Sequence, residues 1–207
     1  MKKLLRVFFV LFVLLSLSVI FTACSNNEPE KFTEGLTYMK NTEGTCYIVT
    51  GIGSAKESDI VIPSKYENLP IVSIGKDAFK DTLITSINIP NSVTSIGGYA
   101  FYDCTSLTSI IIPDSVISIG NRAFYNCKSL TNIIIPDSVT SIGSYAFKSC
   151  TSLTNVTIPD SVTYIGRYAF EGCDKLTIYC EAENKPSGWV YDWNSSNRPV
   201  IWGYKGE

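Results

Sequence analysis

One phrase is written four times in this 207-residue chain. V-T-S-I-G-G-Y-A-F-Y-D-C-T-S-L-T-S-I-I-I-P-D-S starts at Val93. It returns at Val116 and Val139, and in shortened form at Val162, always after 23 residues. A fixed period of roughly 20–29 residues predicts a solenoid, in which each unit is one turn of a coil. A unit that short cannot cover its own apolar side, so only a stack of units is stable. The coil also makes a long repeated surface, and such surfaces mostly hold a partner rather than convert one.

The unit from Val93 to Ser115 sets out the expected turn. Ile110 and Ile112 fall on one face of a short strand, with Ile111 on the other. Pro113 lacks the N–H needed to continue a ladder and stops the strand. Pro-Asp-Ser then predicts a turn in which Asp and Ser bond to local backbone. Val93 and Ile96 bring a second extended piece inward. Gly97 ends it where freedom in φ is expected to help. Ala100, Phe101 and Cys104, at spacings of one and three, predict a short helical turn with Ala, Phe and Cys inside. Stacking places like over like at about 4.8 Å. The predicted columns are Phe79, Phe101, Phe124, Phe147 and Phe170; Ile89, Ile112, Ile135 and Ile158; and Cys104, Cys127, Cys150 and Cys173. The unit from Ile71 to Ser92 is one residue short and carries Thr82 near the Cys position, as befits a first rung.

The pattern L-T-S-I-x-I-P-D-S-V-T-S-I-G-x-x-A-F-x-x-C resembles the BspA-type leucine-rich repeat of bacterial surface proteins, over about Ile71 to Cys180. Ile60 to Pro70 resembles the opening rung of such proteins. Lys185-Pro186-Ser187-Gly188-Trp189, Trp193-Asn194 and Pro199-Val200-Ile201-Trp202-Gly203 resemble their closing cap. The resemblance implies a leucine-rich-repeat solenoid, β-rich, with short strands, short helical turns and caps at both ends. The expected organisation is an N-terminal cap and opening rung over 36–70, repeats over 71–180 and a C-terminal cap over 181–207. The resemblance further implies a non-catalytic, surface-attached protein that serves adhesion or protein binding.

The front of the chain predicts export. Met1 to Arg6 is basic, and Val7 to Phe21 is apolar apart from Ser16 and Ser18. Phe21-Thr22-Ala23-Cys24 looks like the bacterial lipobox, with Phe21 where Leu is usual. That likeness implies removal of residues 1–23 and a covalent lipid on Cys24, the one non-protein group expected. An ordinary signal peptide and an uncleaved anchor are the alternatives. The apolar run is shorter than the roughly 20 residues of a spanning helix, which disfavours the anchor. Ser25 to Gly35 is polar and nearly free of aliphatic residues, so 24–35 is expected to be a tether between lipid and domain. The expected location is the cell surface, lipid-anchored to a bacterial membrane.

Composition narrows the function. Lys2, Lys3 and Arg6 leave with the signal, so 14 basic residues face 19 acidic ones in the remainder. No basic stripe is visible, which argues against nucleic acid. The chain has no histidine. That removes Ser-His-Asp and Cys-His nucleophiles and His-containing zinc sites. A carboxylate-only glycosidase remains formally open, but the acids are scattered with no evident pair. The cysteine column admits three readings: buried filler, a disulfide set, or a metal ladder. Filler is favoured, because stacked side chains run parallel into a packed interior. Asn91, Asp114, Asp137 and Asp160 form a turn column, read as turn chemistry rather than calcium ligation, since G-G-x-G-x-D is absent.

The candidate binding face is the outward side of the strands: Ser86, Asn88, Ser109, Ile111, Asn132, Ile134, Asn155 and Thr157. Ile111 and Ile134, rimmed by Ser, Thr and Asn, make an apolar patch suited to an extracellular or surface protein. The plainer reading is a solvated sheet of β-formers. Tyr99, Tyr102, Tyr125, Tyr145 and Tyr168 are expected as aromatic tiles on the opposite side. Trp189, Tyr191, Trp193, Trp202 and Tyr204 crowd the C-terminal cap. Rings stacked on sugar would make a glycan-binding protein, although closure of the core is the favoured role for the tryptophans. A ligand-free envelope spacer is the third alternative.

Overall fold

The computed structural model describes residues 32–206. The signal segment 1–23, the lipidation candidate Cys24 and the tether up to Lys31 lie outside the described residues. The last tether positions do not hang free. The Thr33 N–H donates to the Val61 carbonyl, and the Val61 N–H donates back to Thr33 Oγ1, both at 2.9 Å. Thr33 and Leu36 are buried.

Each turn of the coil gives two short strands. Asp59–Val61, Ser86–Asn88, Ser109–Ile111, Asn132–Ile134, Asn155–Ile158, Thr177–Cys180 and Val200–Ile201 stack in parallel as a seven-stranded front sheet. Leu69–Ile74, Ser95–Ile96, Ser118–Ile119, Ser141–Ile142 and Tyr164–Ile165 form the parallel core of a back sheet. Tyr47–Gly51 adds to its start in parallel, and Thr37–Lys40 closes its edge antiparallel. Lys65–Tyr66 folds back antiparallel on Leu69–Pro70 through Glu67 and Asn68, both at positive φ, as a two-residue hairpin turn requires. Register is in phase along the coil: Ile134 lies against Ile111, and Ser141 against Ser118 and Tyr164. A slip of one residue would exchange the buried Ile110 for the exposed Ile111.

The third side of the coil corrects the helical expectation. It is a run of turns, and no helix occurs among the described residues. Tyr99 and Asp103 sit at φ 59° and 57°, and Arg122 with Asn126 and Tyr145 with Ser149 repeat the left-handed pair. The N–H groups alternate in direction. Tyr99, Phe101 and Asp103 donate to Asn121, Ala123 and Tyr125 of the next rung at 2.7–2.9 Å. Ala100, Tyr102 and Cys104 close turns on Gly97, Tyr99 and Phe101. A helix would spend all of these donors inside one rung and leave neighbouring rungs unbonded. The helix-like spacing of Ala, Phe and Cys therefore reports which side chains point inward, not the backbone path.

The core runs along the coil as columns. Phe79, Phe101, Phe124, Phe147 and Phe170 are fully buried and stack with centroids 5.1–5.5 Å apart and planes within 2–9°. Ile89, Ile112, Ile135 and Ile158 form a second column, and Cys180 takes the next position, opposite Ile158. The ends are closed differently. Leu36, Tyr47 and Val49 cover the first rung. At the far end Trp193 meets Phe170 edge-on, at 6.2 Å and 85°, and ends the ring stack. Trp189 is buried beside it, and its indole N–H donates to the Val162 carbonyl at 2.9 Å.

The glycine column also departs from expectation. Gly97, Gly120, Gly143 and Gly166 do not sit at positive φ. They are required by proximity. A Cβ on Gly120 would lie 2.6 Å from the Gly98 nitrogen, one on Gly143 2.5 Å from the Asn121 nitrogen, and one on Gly166 2.4 Å from the Ser144 nitrogen. Neighbouring backbones touch here. Gly120→Ala is therefore expected to destabilise the fold by about 1–3 kcal/mol, as for overpacking, in urea unfolding. The opposite change is expected at Ser149. Its φ is 63°, and the matching position one rung on is Gly172 at 73°. Ser149→Gly should raise stability by about 0.5–1 kcal/mol in the same assay.

Candidate functional site

The pleat of the front sheet puts alternate residues outside. Ile110 and Ile112 enter the core, so Ile111 must leave it; it is 79% exposed, and Ile134, one rung on, is 69% exposed. Ser109, Asn132 and Asn155 form the exposed line beside them. Asn88 is exposed, while Ser86 and Thr157 are half-buried. All eight candidate residues therefore lie on one sheet, with the two isoleucines as a ridge at its centre. A groove of about 690 Å³ runs along the ridge, lined by Ile111, Ile134, Pro136, Asp114, Asp137 and Ser138 among others. Its charged lining is acidic only. At the sheet's first strand, hydrogen bonds from the Thr85 and Ser86 hydroxyls, at 2.7 and 2.8 Å, hold the Asp59 carboxyl below its ordinary range.

The turns beside this groove are tied between rungs, which corrects the local bonding expected of the Pro-Asp-Ser serine. Ser115, Ser138 and Ser161 donate to the Val93, Val116 and Val139 carbonyls of the preceding rung at 2.6–2.8 Å. Within the turn, the proline carbonyl takes the valine N–H, and the serine hydroxyl takes the valine carbonyl of the preceding rung. Val116 N–H donates to Pro113, and Val139 N–H to Pro136. The sheet face is thus mounted on stitched turns, a rigid platform.

The cysteine column carries unpaired thiols: Cys104, Cys127, Cys150 and Cys173 are buried and free. They fill space, as expected, but also donate. Each Sγ reaches the carbonyl of the phenylalanine one rung back: Cys104 to Phe79, Cys127 to Phe101, Cys150 to Phe124 and Cys173 to Phe147, at 2.9–3.1 Å. Thr82 starts this column, its hydroxyl donating to Phe79. Sequence reasoning missed this bond, although a hydroxyl at the same repeat position hinted at a donor. Burial pushes the Cys104 thiol up to about 11 and the Cys180 thiol to about 12. Cys150 is raised by burial as well, and Cys173 by its neighbour Cys150 and by burial. The folded chain therefore keeps protons that the unfolded chain releases near the usual thiol value of 9.0. Stability from these groups is full below about pH 9 and falls as pH rises from there towards 12. Urea midpoints measured between pH 7.5 and pH 10.5 are expected to drop only above pH 9. Cys150→Ser, which keeps a donor and removes the titration, should flatten the drop by up to about 1.4 kcal/mol per pH unit.

The aromatic side differs from the expected open tiles. Tyr102 lies between the Lys80 ammonium, 5.3 Å from its centroid, and the Tyr125 ring, stacked at 4.8 Å. Tyr145 lies between the Arg122 guanidinium at 4.5 Å and Tyr168 at 5.2 Å. These ring faces are already covered by rungs above and below. Trp189 and Trp193 are buried and close the core, and the half-buried Trp202 packs against them. Stacking a sugar on Tyr102 or Tyr145 would therefore have to displace a neighbour, whereas Tyr191 in the cap is 79% exposed. Among the described residues no three His, Cys, Asp or Glu side chains converge on a point that would hold a metal ion.

Residues 72–185 match the BspA type Leucine rich repeat region family, in six copies. Among solved structures, a leucine-rich-repeat protein of T. pallidum is similar at 35% identity and a TM-score of 0.68, over 70% of this chain and 68% of that one. A leucine-rich-repeat protein from Bacteroides ovatus shares 31% identity at a TM-score of 0.59, over 75% of this chain and 48% of its own. The pneumococcal vaccine antigen PcpA aligns over 80% of this chain and 46% of its own at a TM-score of 0.60. With 17% identity, that likeness is one of fold alone. No curated protein matches the chain.

Proposed function

The chain belongs to the BspA-type leucine-rich-repeat family, and from that premise we propose a non-catalytic, surface-displayed binding protein whose front sheet docks another protein. The observation that carries this reading is the ridge of Ile111 and Ile134, 79% and 69% exposed, in register above Asp114 and Asp137. Two adjacent exposed isoleucines rimmed by polar residues make the kind of apolar patch that marks a contact. The acidic edge beside them selects a partner segment that sets an aliphatic side chain next to lysine or arginine. Stitched turns keep the face rigid, so docking loses little chain entropy. The partner is an extracellular or surface protein, and Cys24, carrying lipid, holds the solenoid at the bacterial surface.

Two measurements test the reading. In pull-downs from extracellular-matrix and cell-surface protein mixtures, Ile111→Asp with Ile134→Asp should lose the captured partner while circular dichroism stays unchanged. Undiminished capture would remove the ridge as the docking face. Cys24→Ser is expected to shift the chain from the detergent phase to the aqueous phase on Triton X-114 partition of cells. Retention in the detergent phase would contradict lipid anchoring through that residue.

A further inference from the structure

Two side-chain ladders climb the turn side. Lys80, Tyr102, Tyr125 and Lys148 form one, at the residue after each phenylalanine. Tyr99, Arg122, Tyr145 and Tyr168 form the other, two residues before it. Between them lies a groove of about 510 Å³, lined by Tyr99, Tyr102, Arg122, Tyr125, Tyr145 and Lys148. It holds two cations and no carboxylate. Lys148 is committed, with its ammonium 2.6 Å from the Glu171 carboxylate. Arg122 has no carboxylate partner among the described residues. Its guanidinium is nevertheless fixed. It lies 4.5 Å from the Tyr145 centroid and 5.4 Å from that of Tyr99, and Nη1 donates to the Tyr99 hydroxyl at 2.8 Å. One of five donors is used, and the fork is held in place in advance.

The ladder does not need this arginine. Tyr145 stacks directly on Tyr168 without a cation between them, and Tyr102 likewise on Tyr125. A guanidinium interrupts the tyrosine column once, at the middle rung. It is suited to an oxyanion, and the surroundings set how much negative charge it will accept. Burial raises the Tyr102 phenol, and Asp103 and then Asp81 add to the rise as nearby negative charges, while Glu171 sits on Lys148. A dense polyanion would meet these carboxylates, whereas a single carboxylate needs only the one free cation. With the Tyr102 and Tyr145 faces covered, the groove offers mainly phenol hydroxyls and ring edges, which match a ligand bearing several hydroxyl groups.

We propose that this groove binds a carboxylate-bearing sugar, a uronic or sialic acid residue, with Arg122 receiving the carboxylate and the tyrosine hydroxyls meeting the ring hydroxyls. The site is separate from the isoleucine ridge and does not depend on it. The test is calorimetric titration of the full chain, purified in detergent, with digalacturonate, sialyllactose, the methyl ester of digalacturonate and neutral lactose. Saturable binding of at least one acidic sugar at millimolar concentration is expected. It should weaken about tenfold or more in the methyl ester and in Arg122→Gln, less in Arg122→Lys, which keeps charge without the fork. Tyr125→Phe, which removes only a hydroxyl, should weaken it a few-fold with the fold intact. Ile134→Asp should leave it unchanged. Saturation by neither acidic sugar up to about 10 mM, equal binding of the ester, or full binding by Arg122→Gln and Arg122→Lys would overturn the proposal. So would inorganic phosphate or a glutamate-containing peptide binding as tightly as the sugar, since the groove would then be a general anion site.

Discussion

The hydrogen bonding between one rung and the next governs the rest of this molecule. Every side of the coil uses it. The two sheets do so through parallel ladders, and the turn side through alternate N–H groups such as those of Phe101 and Phe124. Serine hydroxyls and cysteine thiols reach back one rung in the same way. This spacing fixes what side chains are tolerated. Each residue must pack against a copy of itself about one strand spacing away. Flat rings stack there, parallel isoleucines nest, and glycine alone fits where backbones touch.

Much of this was legible in the sequence, because period and phase are properties of the chain read end to end. The Phe, Ile and Cys columns and the outward Ile111 and Ile134 follow from counting residues, and the closing tryptophans from a resemblance to the family's cap. What was not legible lies between rungs. Ala100, Phe101 and Cys104 have helical spacing, yet the Phe101 N–H goes to Ala123 of the next rung, a partner that spacing does not show. Gly120 looks like a conformational device and is a steric one. Cys127 looks like filler and is also a donor. One signal was present and went unused: Asp81, Asp103, Asn126, Ser149 and Gly172 form a column of the residue types that tolerate left-handed backbone, which argues for turns over a helix.

The same logic divides the surface by function. On the front sheet, near-identical repeats create a generic platform, and the two isoleucines are local departures from a polar Ser, Asn and Thr face. On the turn side, the groove between the two ladders holds one cation, Arg122, without a carboxylate partner among the described residues. In a repeat protein the stack dictates the columns, so a residue that breaks its column is a place where a role other than stacking can sit. Ile111, Ile134 and Arg122 are such residues. The first two invite an apolar partner beside acidic turns, and the third an oxyanion.

Native-state amide hydrogen exchange tests the central claim most directly. If alternate turn-side donors bridge rungs, the amides of Phe101, Phe124 and Phe147 should exchange only with global unfolding, as slowly as those of Ile110 and Ile133 in the front sheet. Exchange of those three phenylalanine amides at the rate of exposed turns, while the sheet amides stay protected, would contradict it. The rungs would then be joined by their sheets alone.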